Sequence, residues 1–217
     1  MPRFINKKRN YYLSTSPKVL YTTMTFQEEL NELTNMQFLE YLLWDTVRGI
    51  HRPQYMLVRN PYDRLVSCFA DKFRRSPLKR TPEEGWQSCQ RLYFPFLGLS
   101  EQDEFEKIRD RLLKVTFSEF MHILPNVIRK EGHFWPQSWM LRARLKKIPI
   151  TTTLKINRFY RIETDLQKVE FELGLDTSFK MQQSEHGPSD EYFNKKLTAI
   201  ANNLYRADFS FGYNIKE

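Results

Sequence analysis

Two short stretches of this chain carry residue types suited to holding anions. In the first, Pro17, Lys18 and Val19, then Leu20 and Tyr21, lead to the pair Thr22 and Thr23, directly after the aromatic and branched run at 11–16. A strand ending in a loop that feeds a helix aims backbone N–H groups and the positive end of the helix dipole at one point. Such a point holds phosphate: Lys18 can reach a bridging or terminal oxygen, and the hydroxyls of Thr22 and Thr23 can donate to the same group. The glycine-rich pattern of nucleoside triphosphatases, with its magnesium-binding hydroxyl, is absent here. Taken alone, the stretch is better read as a strand exit with a threonine N-cap and a solvated lysine. The second stretch weighs against that. Arg59 closes the run at 54–59, Arg64 follows, and Ser67 stands two turns into the next helical pattern. A planar, permanently charged fork at a strand end and a short hydroxyl beyond it suit a second phosphate at a distance from the first, so that the two pockets together measure a doubly phosphorylated ligand.

The elements that must position these residues follow from periodicity. Residues 11–16 and 54–59 read as strands that stop at proline-containing loops. Between them, residues 23–49 carry Leu30, Leu33, Phe38, Tyr41, Leu42 and Trp44 at spacings nearer three and four than two, which predicts helix in two pieces. Residues 61–76 open with Pro61 at a first helical position and repeat Leu65, Phe69 and Phe73 every fourth residue, again a helix. Strand, helical crossover, strand and helix make a βαβα unit, hence an α/β fold with a central parallel sheet flanked by helices. Both loops then lie at the carboxyl edge of the sheet, where open α/β sheets bind ligands. Residues 1–10 read as a basic leader and 76–100 as a loop or lid. Helices are expected at 100–114, 116–130, 165–175 with a stop at Gly174, and 190–209, and a strand at 150–157.

Length and composition bound the rest. With 217 residues, 41% of them hydrophobic, the chain can fill one core, and a single domain over 1–217 is expected. No window reaches the roughly 18 consecutive apolar residues of a membrane span, and no apolar stretch follows the basic start as in a signal peptide, so a cytoplasmic location without a membrane span is expected. Two cysteines, Cys68 and Cys89, are too few for a disulfide framework or a four-cysteine zinc site. Net charge is +8, which favours polyanionic partners without choosing among them. The aromatics follow no nucleic-acid-binding signature, so no nucleic-acid partner is expected. A nucleotide phosphotransferase would need the missing glycine loop and a metal carboxylate, while a polyanion-binding module would need neither and no catalysis.

The ordered set of motifs resembles the sulfotransferases, most closely the Golgi carbohydrate sulfotransferases that modify chondroitin and related glycans. Pro17, Lys18, Val19, Thr22 and Thr23 match their first signature, and Arg59, Pro61, Arg64 and Ser67 match the second, R-x-P-x-x-R-x-x-S, in full. "HFWPQS" at 133–138 is similar to their His-Trp-x-Pro segment with one residue displaced. "NRFYRIETDLQKV" is similar to their Lys-x-Glu-Thr segment, and "LYRADFSFGYN" to their Tyr-x-x-Asp-Phe-x-x-Phe-Gly-Tyr ending. Leu20 and Tyr21 depart from the family's Ala/Gly and Cys, and the cysteines that commonly follow the His-Trp-x-Pro segment are missing, which suits a cytosolic or prokaryotic form.

The resemblance implies a P-loop-NTPase-like sheet and 3′-phosphoadenosine 5′-phosphosulfate (PAPS) as sulfonate donor, with no metal. Residues 17–23 would cradle the 5′-phosphosulfate, Lys18 would neutralise the leaving phosphate oxygen, and Arg59 and Ser67 would hold the 3′-phosphate. The acceptor would be a hydroxyl of a glycan, an acidic one included, or of a small molecule; the oligomeric state is left open. A base must take the hydroxyl proton. His133 is the first candidate, since a neutral imidazole suits the task near pH 7. Glu28, Glu40 and His51 lie between the two loops in sequence and stand as alternatives, Glu40 on condition that burial raises its pKa.

Overall fold

In a computed structural model of the protein, residues 2–144, 151–153, 155–177 and 187–216 are described. In chain order the elements are β1 (Arg3–Asn6), β2 (Tyr11–Ser14), α1 (Tyr21–Thr25), β3 (Leu30–Leu33), α2 (Asn35–Val47), β4 (Gln54–Val58) and α3 (Pro61–Phe69). A π-helical stretch (Ala70–Arg75) then leads to α4 (Ser76–Lys79), α5 (Ser88–Arg91), α6 (Phe94–Leu97), α7 (Phe105–Lys114) and α8 (Phe117–Val127). A 3-10 turn (Gln137–Leu141), β5 (Arg142–Arg144), β6 (Thr151–Thr153), β7 (Arg158–Arg161), α9 (Leu166–Leu173) and α10 (Lys195–Leu204) follow, and a 3-10 turn (Arg206–Phe211) comes last.

The chain divides into two compact units. The first comprises residues 1–60, 136–183 and 210–213, the second residues 61–135, 184–209 and 214–217.

The first unit is built on a five-stranded sheet of order β3-β1-β2-β4-β7. β2, β4 and β7 run parallel, in register Ser14 with Met56 and Met56 with Phe159, as the βαβ pattern requires. β1 is antiparallel to both neighbours, so the sheet is mixed. The "basic leader" is therefore an interior strand: Arg3, Phe4, Ile5 and Asn6 are all buried, and the charges of Lys7, Lys8 and Arg9 are confined to the turn. Asn6 makes that turn, its Oδ1 accepting from the backbone N–H of Arg9 at 2.8 Å. The expectation of helix throughout 23–49 also needs correction. Leu30 and Leu33 are buried at the two ends of a strand whose middle residues face water, and pairing with β1 overrides the local three-and-four spacing. The second helical piece is present as α2, opened by a capping box between Thr34 and Gln37.

Alternation along the strands divides the unit's core in two. Phe4, Leu13 and Leu57 pack with Val19 and Met24 near α1 and with Val169 and Leu173 of α9 on one face, while Ile5 and Tyr12 pack with Phe38 of α2 on the other. Gly174 ends α9 with φ 66°, as its stop signal predicts. Of the strand expected over 150–157, Thr151–Thr153 form β6, residues 155–157 are not strand, and Ile150 and Leu154 lie outside the described residues.

The second unit is helical and its core is aromatic. Phe69, Phe73, Tyr93, Phe117 and Phe120 pack ring on ring at centroid distances of 4.8–6.0 Å. Residues 76–100 hold three short helices, and Cys89, Gln90, Tyr93, Phe94 and Leu97 of this stretch are buried. Cys68 and Cys89 are buried thiols, and burial pushes the Cys89 thiol up to about 12. Among the described residues no helix is long and apolar enough to cross a membrane.

Candidate active site

The first loop leaves the carboxyl end of β2. Thr15 Oγ1 donates to the Val19 carbonyl, and the Val19 N–H donates to the Ser16 carbonyl at 3.0 Å, so the chain folds back tightly around Pro17 and Lys18. Val19 is fully buried beside Phe4, Leu13 and Met24, and this apolar anchor accounts for the valine of the signature. On either side of it, Lys18 (φ 72°) and Leu20 (φ 52°) adopt the left-handed conformation. That conformation costs an L-residue about 1–2 kcal/mol, and strain of this kind collects at ligand clamps. Alternation into the left-handed region turns successive backbone N–H groups toward one side, as in anion-binding nests. Leu20 is the N-cap of α1, and no side chain caps that helix. The plain structural alternative, a threonine N-cap with a solvated lysine, therefore does not hold: Lys18 is half-buried, Thr22 half-buried and Thr23 buried. α1 spans only five residues, too short to bring a long helix dipole to the loop.

The second loop leaves β4 beside it. The guanidinium of Arg59 donates from Nη1 to the Lys18 carbonyl oxygen at 3.2 Å. The two motifs are thus joined, at closer range than two separate pockets would require. Arg59 is itself held by Gln137, which is fully buried: the Arg59 N–H donates to Gln137 Oε1 at 2.9 Å, and Gln137 Nε2 donates to the Arg59 carbonyl at 2.7 Å. The next N–H, that of Asn60, donates to Glu163 Oε1 at 2.8 Å, and Tyr213 Oη donates to Glu163 Oε2 at 2.8 Å. Burial, reinforced by the Glu163 carboxylate, drives the Tyr213 phenol far above its ordinary range, so it stays a donor. The sequence reading missed Gln137, Glu163 and Tyr213 as individual residues. Their signal was there in the three weak motif echoes, each of which supplies one brace to this loop.

In the second unit, Arg64 and Ser67 lie on α3 and are 2% and 3% exposed. Arg64 Nη2 donates to the His133 carbonyl at 3.1 Å, and Tyr205 Oη donates to the adjacent Phe134 carbonyl at 2.6 Å. The histidine segment is therefore clamped by one residue of the second signature and one of the tail motif. The ring of His133 sits with Nδ1 2.7 Å from Glu131 Oε1. Ser88 Oγ donates to Glu131 Oε2 at 2.5 Å. Burial would raise the Glu131 carboxyl, but the hydrogen bonds from Ser88 and His133 outweigh it and hold the group below its ordinary value. Glu131 and Ser88 were not picked out from sequence, since a lone Glu two residues before a His has no distinguishing pattern.

The alternative bases are placed elsewhere. Glu40 and Glu28 are exposed, so the burial that Glu40 would need is not met. His51 precedes β4 and lines a 370 Å³ cavity with Tyr12, Asp45 and Arg52 at the amino edge of the sheet, opposite to the edge from which both loops leave.

No curated protein and no solved structure gives a significant match. The family model described as "Sulfotransferase family" matches residues 3–213, which takes in both loops, all their braces and the clamped histidine. The chain belongs to the sulfotransferase family.

Proposed function

We propose that this sulfotransferase uses PAPS as donor and transfers its sulfonate to a hydroxyl of a glycan or small molecule. The observation that carries this reading is the junction of the two loops, in which the Arg59 guanidinium lies on the strained, uncapped Lys18 loop. In this reading one nucleotide spans both loops, its two phosphates taken by different donors: the backbone N–H groups of the Lys18 turn and the planar fork of Arg59. In this reading residues 17–23 hold the 5′-phosphosulfate. Arg59 takes the 3′-phosphate, with Ser67 as the second signature's hydroxyl.

The acceptor oxygen bonds to sulfur as the bond from sulfur to the 5′-phosphate oxygen breaks. The electron pair stays on that phosphate oxygen, and adenosine 3′,5′-bisphosphate leaves. Lys18 neutralises the charge that grows there, a contribution of about 3 kcal/mol for comparable positioned donors. His133 takes the proton of the acceptor hydroxyl.

Calorimetry with adenosine 3′,5′-bisphosphate, AMP and ATP tests the reading. A strong preference for the bisphosphate that disappears in Arg59→Ala supports it. Preference for ATP points to a phosphotransferase, and binding of all three without preference, falling steeply with salt, points to a polyanion module; either result overturns the proposal. A screen of glycans and small-molecule hydroxyls with labelled PAPS then identifies the acceptor.

A further inference from the structure

We infer that Glu131 is a positioning residue for His133, fixing the ring so that its Nε2 carries the lone pair that accepts the proton. The inference rests on the reading of His133 as base. Its support is geometric. Glu131 Oε1 stands 2.7 Å from Nδ1 of His133 and also accepts the His133 backbone N–H at 3.3 Å. The other carboxylate oxygen is tied to Ser88 Oγ, so the group cannot swing away without breaking contacts at both ends. The backbone of the histidine is fixed independently, its carbonyl accepting from Arg64 Nη2 and from Cys68 Sγ at 3.9 Å.

An ionised carboxylate only accepts, so the nitrogen facing it must bear hydrogen. The neutral imidazole is then the Nδ1–H tautomer, and its basic nitrogen is Nε2. As Nε2 takes a proton the ring becomes a cation, and the carboxylate beside Nδ1 stabilises it. This raises the basicity of the pair without a second proton transfer. The other titratable and charged groups around the pair are Arg64 and Cys68 on α3, Lys72 in the π-helical stretch, Cys89 on α5 and Tyr205 after α10. Lys72 is paired with Asp71 at 3.0 Å, burial keeps Cys89 and Tyr205 protonated, and Asp208 acts on Tyr205; Glu131 is the anion in hydrogen-bond contact with the ring. Ser88 lies within residues 76–100, which gives this stretch a supporting part in the site in addition to its core packing.

The test is imidazole ¹⁵N NMR on the full chain, which has four histidines, with His133→Ala used for assignment. Alongside it, the pH profile of labelled sulfate release from PAPS is followed. In that reaction water replaces the acceptor, its proton passes to Nε2, and the products are sulfate and adenosine 3′,5′-bisphosphate. The wild type should show the Nδ1–H tautomer. Glu131→Gln should lower the His133 pKa by about one unit or more, shift the acidic limb of the profile to lower pH by the same amount, and slow release at least tenfold. Ser88→Ala keeps the carboxylate and removes only its tether, and should give a smaller change in the same direction even if the Gln variant folds poorly. An unchanged tautomer and pKa in both variants overturns the inference. The expected NMR change with normal release by His133→Ala shows instead that the pair forms but His133 is not the base, and the positioning role falls with that reading.

Discussion

The carbonyl oxygen of Lys18 accepts a hydrogen bond from the guanidinium of Arg59 at 3.2 Å, across 41 residues of chain. This one contact joins the two strand-exit loops and orients the arginine's fork relative to the lysine loop. A guanidinium has five N–H donors in a fixed plane, so one can serve the backbone while others serve an oxyanion. An ammonium in its place could not divide its donors in this planar way.

Arg59→Lys should therefore weaken adenosine 3′,5′-bisphosphate binding although the charge is kept. A charged hydrogen bond contributes about 1.5–3 kcal/mol, so the loss should be roughly tenfold for Lys and up to about a hundredfold for Ala. Isothermal titration at fixed ionic strength measures it. Equal affinity for Arg59→Lys and wild type would remove the fork from the account.

Gln137→Leu removes the two hydrogen bonds by which Gln137 holds the backbone of Arg59. A hydrogen bond contributes about 0.5–1.5 kcal/mol net, so losing two should cost about 1–3 kcal/mol in urea denaturation. Bisphosphate affinity should fall as well, because the loop carrying Arg59 loses its brace. Full stability together with wild-type affinity would contradict this.

Arg3→Met should not destabilise the protein. The guanidinium is 2% exposed, lies 4.3 Å from the centre of the Phe38 ring, and has no hydrogen-bond partner for Nε or Nη1 among the described residues. Burial pushes its pKa down to about 10. Replacing a poorly compensated buried charge by an apolar side chain of similar length is neutral or stabilising by about 1–4 kcal/mol. A loss above about 2 kcal/mol in Met, well outside that expectation, would show that Arg3 is satisfied.

Asp165 sets part of the acid limit. Burial would raise its carboxyl, but the backbone N–H of Arg161 at 2.9 Å and Lys168 at 3.1 Å outweigh this and hold it below the ordinary 3.8. A folded-state value below the unfolded one contributes stability that is complete above the unfolded value and is lost as pH falls through the folded value. Asp165→Asn should be less stable than wild type at neutral pH, and the difference should close on acidification below pH 3.8. A gap in urea midpoint that stays constant with pH would refute the assignment.

Much of this could be read from residue order. β2 and β4 were legible because an aromatic and branched run stopping at proline has few other readings, and Gly174 marked a helix end by its backbone freedom. β1 and β3 were not, for opposite reasons. The three cations that follow Asn6 masked a four-residue buried strand, and the leucines at the ends of β3 mimic helical spacing until a partner strand is present. β7 was read only as a motif echo, since its Arg158 and Arg161 conceal a strand paired with β4. In the site, Lys18 and Arg59 stood out by charge at strand exits. Gln137 did not, because a glutamine that bonds to main chain 78 residues away leaves no periodic trace.

The position of β1 also bears on how the protein is handled. The strand lies between β2 and β3, and the Pro2 carbonyl accepts the Thr15 N–H at 3.2 Å, two residues before Pro17. Anything joined ahead of residue 2, an affinity tag included, must leave the molecule beside the lysine loop, and trimming into residues 3–6 would open the sheet down its middle. A tag placed there lies close enough to disturb that loop, and a spurious fall in bisphosphate affinity is the symptom to watch for.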